Sequence, residues 1–379
     1  MYNVCTPMGP AGALESGDDM GAPLRLLRAA SIASPRTAPM PAPARFPQHS
    51  LRCADDVPAV QALMAHLAAG ERLERLGLIV QEHLGSGGKL MRARLCLAAA
   101  ASLGAAREDA VPWAAAVELL HNATLIHDDI QDGDLLRRGQ PTVWVRHGVA
   151  QAINAGDLLL MLPVVALDHL DVSGDVRWAL ARSLATHASS TVRGQSQELD
   201  LLKTGQLDRA SYTHAVVGKT GSLFALPVEG AALIAGHTPA NARALGRCFT
   251  NLGVLFQLQD DVLDLYGDKG RGHRGSDLEE GKVSALVLAH LERVPADREW
   301  LLDLLAAPRD LTAPDAVNKA IQVFRESGAL GDVLAEIQAL SELLVSDPQL
   351  AGNPALLLLA REVCGLAIEP IHHLLGAPR

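Results

Sequence analysis

The sequence predicts an all-α protein, a single bundle of more than ten helices. Three observations carry that expectation. From about residue 55 onward, apolar residues recur in long runs with short breaks between them, as in "VPAVQALMAHLAAGERLERLGLIVQEHL", "KLMRARLCLAAAASLG" and "VPWAAAVELLHNATLIHDDIQD". The breaks carry Gly, Pro, Asp or Asn, the residues that end helices. No run sustains the period-2 alternation of β-branched and aromatic residues that marks strands. Several runs are apolar on most faces, so they belong at the centre, covered by other helices.

The whole chain sets outer limits. Its 379 residues are enough for one large domain or two ordinary ones, and a hydrophobic fraction of 49 % is globular. A net charge of -10 argues against general nucleic-acid binding, which needs a basic face. It leaves room for an anionic substrate held by local arginines, lysines or a metal. Cys5, Cys53, Cys96, Cys248 and Cys364 are widely spaced with no CxxC pair. Neither a structural zinc site nor a disulfide framework is expected, and a cytoplasmic location is the default. The apolar stretches Leu95 to Ala106 and Leu158 to Leu167 are too short to span a bilayer, and Pro163 interrupts the second. No membrane-spanning segment is expected.

Residues 1–50 differ from the rest, with eight of the 21 prolines before residue 48. They read as a disordered Pro/Ala-rich extension. A targeting peptide is the alternative, opposed by Glu15, Asp18 and Asp19 and by the lack of a continuous apolar region. Residues 51–379 form the helical domain, without a short internal repeat.

The chemistry concentrates in two acidic clusters. In "IHDDIQDGDLLRRGQPT" an apolar run ends at Asp128, Asp129 and Asp132. Asp128 and Asp132 share a helix face, with Cβ atoms about 5–6 Å apart. At an effective dielectric of about 20, two such charges repel by roughly 3 kcal/mol, which calls for a cation or full solvation. One such triad arises by chance in roughly one chain in ten of this length, and is then a solvated helix end. The second, Asp260, Asp261 and Asp264 in "FQLQDDVLDLYGD", repeats the spacing at the end of another apolar helix. Facing triads of oxygen ligands favour Mg²⁺ bridged to phosphates. Basic residues cluster around them: Lys89 and Arg92, Arg137 and Arg138, Lys219, then Lys269, Arg271, Arg274 and Lys282. Such a set can grip two diphosphates, one through metal and one directly.

These segments resemble the trans-isoprenyl diphosphate synthase (polyprenyl synthetase) family from about Gly87 to Lys282. "HDDIQDGDLLRRGQPT" is similar to its first aspartate-rich motif and "FQLQDDVLDLYGD" to its second; "ELLHNATLIHDD", "GKTGSLF" and "GSDLEEGK" also match. The resemblance implies an isoprenoid synthase-type bundle around a central cavity, usually a homodimer. It implies two to three Mg²⁺ ions on Asp128, Asp129, Asp132, Asp260, Asp261 and Asp264. Arg137 and Lys219 would hold the allylic diphosphate. Lys89, Arg92, His121 and Arg138 would bind isopentenyl diphosphate, with Lys269 and Lys282 as further substrate contacts. Lys219, Thr220 and Gln257 would line the reacting centre.

Three departures stand out. The family's "GGKRxRP" reads with Leu90 and Ala93 here, the lysine of its "GKPxGxDL" is His273, and the C-terminal "IHHLLGAPR" lacks the family's usual basic ending. Product length follows from the first helix. Ala123 and Thr124, one turn before Asp128, are too small to stop the chain at C10 or C15. Leu119, Leu120 and Met161 are deeper candidates for a floor, so geranylgeranyl diphosphate (C20) is expected, with longer polyprenyl products next. The rivals are a terpene cyclase, whose second metal motif normally mixes Asn/Asp, Ser/Thr and Glu, and a non-catalytic subunit, which would have lost aspartates.

Overall fold

The computed structural model describes residues 56–70, 72, 74–267 and 274–375. The expectation for residues 1–50, and those for Lys269, Arg271 and His273, lie outside the described residues. The all-α prediction holds. The helices are α1 (Val57–Ala69), α2 (Arg75–Gly85), α3 (Met91–Leu103), α4 (Arg107–Gln131), α5 (Val143–His147), α6 (Val149–Ala166) and α7 (Gly174–Thr204). Then come α8 (Arg209–Val216), a π turn (Val217–Gly221), α9 (Ser222–Ile234), α10 (Pro239–Cys248) and α11 (Thr250–Tyr266). The remainder includes α12 (Ser276–Glu279), α13 (Ala285–Arg293), α14 (Arg298–Ala306), α15 (Pro314–Glu326), α16 (Ala329–Val345), α17 (Pro348–Ala351), α18 (Pro354–Ile368) and α19 (His372–Leu375).

The centre is built from the helices that the sequence marks as apolar all round. In α4, Ala114 to Leu120 are all buried, including Glu118. In α9, Ser222 to Leu233 are buried without a gap. α4 packs on α3, α6 and α9, while α9 also meets α7, α10 and α11. Local signals set the ends. Ser173 caps α7 by accepting from Val176 N, and Gly205 closes it in the left-handed region. Glu108 and Asp109 open α4, where the helix dipole favours acidic groups.

Two local expectations change. Pro163 does not interrupt its helix: α6 runs through it, and with the 3-10 turn after it forms a stretch, Val149–His169, long and apolar enough to cross a membrane by length and composition. One face of α6, with Ala152, Ala155, Gly156, Leu159 and Leu162, packs into the core. The opposite face leaves Val149, Ile153, Met161, Val164 and Val165 exposed. Hydropathy alone does not tell which face of so apolar a helix is covered. The second change is a two-stranded hairpin, β1 (Leu136–Arg137) and β2 (Gln140–Pro141), paired antiparallel just after the first triad. It is too short for any alternation pattern to reveal.

Candidate active site

The hairpin explains the arginine pair. Arg138 (φ 53°) and Gly139 (φ 73°) occupy the two turn positions, both at positive φ. That is the pattern of a type I′ turn, whose twist matches paired strands. Arg137 is thereby folded back on α4, where its Nε donates to Asp129 Oδ1 at 2.6 Å. Arg138 reaches the loop before α3. A Cβ at Gly88 would lie 2.6 Å from its guanidinium carbon, so glycine there makes room for the arginine. The loop and the hairpin, some fifty residues apart in sequence, thus meet.

Asp128 and Asp132 lie at the end of α4, half-buried, and Asp129 is buried. Burial first, then the charges of Asp132 and Glu198, push the Asp128 carboxyl up to about 6 against the pull of Lys219 and Lys282. Asp129 Oδ2 is buried without a hydrogen-bond partner. Carboxylates crowded this way, with oxygen donors only, fit a hard divalent cation.

The second triad divides its labour. Asp260 is half-buried. Asp261 is buried and accepts from Tyr212 Oη at 2.7 Å, Gln257 Nε2 at 3.0 Å and Ala285 N at 2.7 Å. Burial and the nearby Asp277 still push it up to about 7. Asp264, also buried, accepts from Ser276 Oγ at 2.7 Å and Asp277 N at 3.2 Å. The sequence treats the three as equivalent; in the fold, Asp261 and Asp264 tie α11 to α8, α12 and α13.

Two lysines connect the parts. Lys219 sits on the π turn, an insertion of the kind often found at functional sites. Its Nζ bonds Glu198 Oε2 of α7. Burial lowers its proton affinity, but Glu198 and Asp128 outweigh that, so it stays charged. Lys282, which follows the second triad in sequence, donates to Asp132 Oδ2 of the first at 2.7 Å and pairs with Glu280 at 2.7 Å. Beside Lys219, Thr220 Oγ1 donates to Gln257 Oε1 at 3.2 Å, and Gln257 in turn holds Asp261. The predicted reacting-centre residues are therefore contiguous.

The other basic group forms a separate nest. Arg92 Nη1 lies 2.9 Å from His121 Nε2. Burial, then Arg92 and its neighbours, hold the His121 imidazole well below its ordinary range, so it is neutral and accepts from the guanidinium. Burial brings Arg92 itself down to about 10, against Glu118 and Asp128. Arg92 also lies over the Phe224 ring at 5.1 Å. Lys89 is exposed, and its carbonyl accepts from Arg94 Nε at 3.0 Å. Leu90 takes a left-handed conformation (φ 47°) as the N-cap of α3. Ala93, at the family's proline position, uses its N–H to donate to Glu118 Oε2 at 2.9 Å, a bond that proline lacks.

The floor candidates separate. Leu119, Leu120 and Ala123 are buried on α4, and Thr124 is half-buried with its hydroxyl on His121 O. Met161 is 63 % exposed on the outer face of α6 and does not line the interior of this chain. Sequence reasoning missed Glu118, Glu198, Tyr212, Glu280 and Arg309. The last donates to Asp132 O at 3.2 Å and lies 3.3 Å from Glu280. Glu118 opens the quoted segment "ELLHNATLIHDD" and Glu280 lies in "GSDLEEGK", but neither residue was singled out.

Fold and site together define an all-α bundle whose aspartate-rich helix ends lie among buried cations. Comparison with known proteins makes this specific. A family model described as Polyprenyl synthetase matches residues 74–324. A geranylgeranyl diphosphate synthase of Mycobacterium tuberculosis is 35 % identical over 285 residues, 74 % of this chain and 80 % of that protein. A short chain isoprenyl diphosphate synthase of Methanothermobacter thermautotrophicus is 35 % identical over 66 % of this chain and 77 % of its own. The crystal structure of a polyprenyl synthase from Caulobacter crescentus, complexed with calcium and isoprenyl diphosphate, superposes with a TM-score of 0.76 at 28 % identity, covering 86 % and 99 % of the two chains. This chain belongs to the polyprenyl synthetase family, as a trans-isoprenyl diphosphate synthase and hence a prenyltransferase.

Proposed function

We propose that the protein condenses isopentenyl diphosphate with an allylic diphosphate and that its main product is geranylgeranyl diphosphate (C20). One observation carries the assignment of the site: Lys282, from beyond the second triad, rests on Asp132 of the first, while Lys219 lies against Asp128 and Glu198. On this reading both triads serve one centre, with Lys219 and Lys282 as its standing cations.

Asp128, Asp132 and Asp260 would hold Mg²⁺, two to three ions per site. When bound, Mg²⁺ supplies Lewis-acid activation of the leaving diphosphate. Among the described residues no three His, Cys, Asp or Glu groups gather into a cage of their own. Substrate phosphate oxygens would supply the remaining ligands, the usual arrangement for this ion. Lys219 and Lys282 stay protonated and exchange a carboxylate partner for a diphosphate oxygen as substrate arrives. Thr220 and Gln257, held in line by Asp261, border the reacting carbon. The apolar body of α4 and α9 keeps water from the allylic cation. The departing diphosphate is the nearest base for the proton lost at the end.

Arg92, with His121 fixing its fork, and Arg138 over Gly88 would bind the second diphosphate without metal. Arg92→Ala is expected to raise KM for isopentenyl diphosphate by about 10²-fold, with KM for the allylic substrate little changed, in steady-state kinetics. Equal rises in both constants would remove Arg92 from that role. Ala123→Phe should shorten the product below C20, read by mass after dephosphorylation; an unchanged product would take the floor off α4.

The exposed apolar faces of α6 and α7, including Val149, Ile153, Met161 and Trp178, support a homodimer. The deciding experiment supplies isopentenyl diphosphate with dimethylallyl, geranyl or farnesyl diphosphate and Mg²⁺, then weighs the alcohols released by phosphatase. A dominant C20 alcohol is expected. A series of C30 or longer would favour a longer-chain polyprenyl diphosphate synthase. No elongation from any primer would overturn the proposal and point to a non-catalytic subunit.

A further inference from the structure

A cavity of about 230 Å³ lies between α7, α9, α10 and the start of α11. None of the candidate active-site residues lines it. Arg182 of α7 and Arg243 and Arg247 of α10 stand around it, all exposed. Arg243 and Arg247 are four apart, so they share one helix face. Among the described residues none of the three guanidinium groups makes a hydrogen bond or an ion pair. The one carboxylate in the lining, Glu229, is already engaged by His187 Nε2 at 3.0 Å. Ser183 also lines the cavity, with its Oγ buried beside Glu229. Three guanidinium groups gather here around one carboxylate, Glu229, whose charge Arg243 already feels, so the cavity carries a local positive excess in a chain of net charge -10. An anion offsets them, and the guanidinium fork matches phosphate oxygens in pairs.

We propose that this cavity is a second anion site, distinct from the catalytic centre, for a small phosphate- or diphosphate-bearing molecule. Its position gives it a route to the chemistry. Val217 and Ser222, which bracket the π turn, line the cavity, and Ser222 Oγ donates to Val217 O across that turn at 3.5 Å. Thr250 lines it too, and packs so closely on Gly221 that a Cβ there would lie 2.8 Å from Thr250 Cγ2. An occupant therefore touches the frame that carries Lys219 and Thr220. The link to turnover rests on the proposed function; the binding does not.

The test is calorimetric titration of the full chain with inorganic diphosphate in excess EDTA, comparing wild type with Arg243→Gln/Arg247→Gln. Both positions are exposed, so the variant should fold, which a thermal melt checks. The expected result is the loss of one bound diphosphate per chain, or weakening of that step by at least tenfold, in the double variant. Arg92→Ala should keep that step. Identical stoichiometry and affinity in wild type and double variant would overturn the proposal, as would a step lost from Arg92→Ala and kept in the double variant. Prenyl transfer without added diphosphate should be unaffected in the double variant, so failure of this site and failure of the proposed activity are read separately.

Discussion

Asp128→Asn should lower kcat by about 10³-fold or more at saturating Mg²⁺, and yet make the metal-free protein more heat-stable at pH 8. The first effect follows from removing a charged ligand at the place where a leaving diphosphate must be neutralised. The second follows from burial. The carboxyl sits at about 6 in the fold against an ordinary 3.8. A group raised in the folded state contributes its full stability below about pH 4 and loses it as pH climbs through about 6. Above pH 7 the ionised Asp128 costs the metal-free fold on the order of 3 kcal/mol, an upper figure because the side chain is only partly removed from water. Asparagine escapes that cost. The gap between variant and wild type should be about half as large at pH 5 as at pH 8 and close towards pH 4. Adding Mg²⁺ at pH 8 should raise the wild-type Tm more than the variant's. Thermal melts in EDTA and in Mg²⁺, with kcat, test both halves. A metal-free variant that melts several degrees below wild type would make Asp128 a structural residue. Retention of a tenth of the activity would take it out of the centre.

The candidate site was legible wherever one helix writes it. Asp128 and Asp132 come from a fixed spacing of four on α4, and the same rule finds the triad on α11. Lys219 stood out among the basic residues, Thr220 came only with the family resemblance of "GKTGSLF", and Arg137 and Arg138 stood out because they follow the triad at once. What the spacing could not say is which way each carboxylate turns. Asp261 is drawn to Tyr212 and Ala285, and Asp264 to Ser276, by helices 12 to 49 residues distant in sequence. Glu198 and Glu118 were passed over for the same reason: each is a glutamate outside the triads on a long helix, made important only by the lysine or the backbone N–H that another helix brings to it. The fold class was readable from helix-length apolar runs. Those runs failed at Met161, since a helix apolar all round carries no mark of which face the core will cover. The hairpin escaped because two residues per strand leave no period to detect.

Gly194→Ala should be the most damaging single-methyl change on α7. α7 crosses the π turn at Gly194 with no space between the backbones. A Cβ there would lie 2.1 Å from Lys219 N, 2.5 Å from Ala215 O and 2.7 Å from the Gly218 carbonyl carbon. All three are backbone atoms, so no side chain can swing aside; either α7 or the π turn must move. Overpacking of this kind costs about 1–3 kcal/mol. The kinetic cost is larger, because the turn that moves carries Lys219 and Thr220 and also sets the reach from Lys219 to Glu198. A misplacement of about 1 Å at a reacting centre is worth roughly 10²-fold in rate. The expected result is a Tm lowered by several degrees and kcat lowered by about 10²-fold, with KM for isopentenyl diphosphate nearly unchanged, because the Arg92–His121 nest stands on α3 and α4. Gly365→Ala on α18 is the control, since a Cβ there meets nothing within 4 Å; it should leave both quantities near wild type and gain slightly from helix propensity. A Gly194→Ala enzyme with full kcat would mean that the π turn yields freely and that the position of Lys219 is not set by α7.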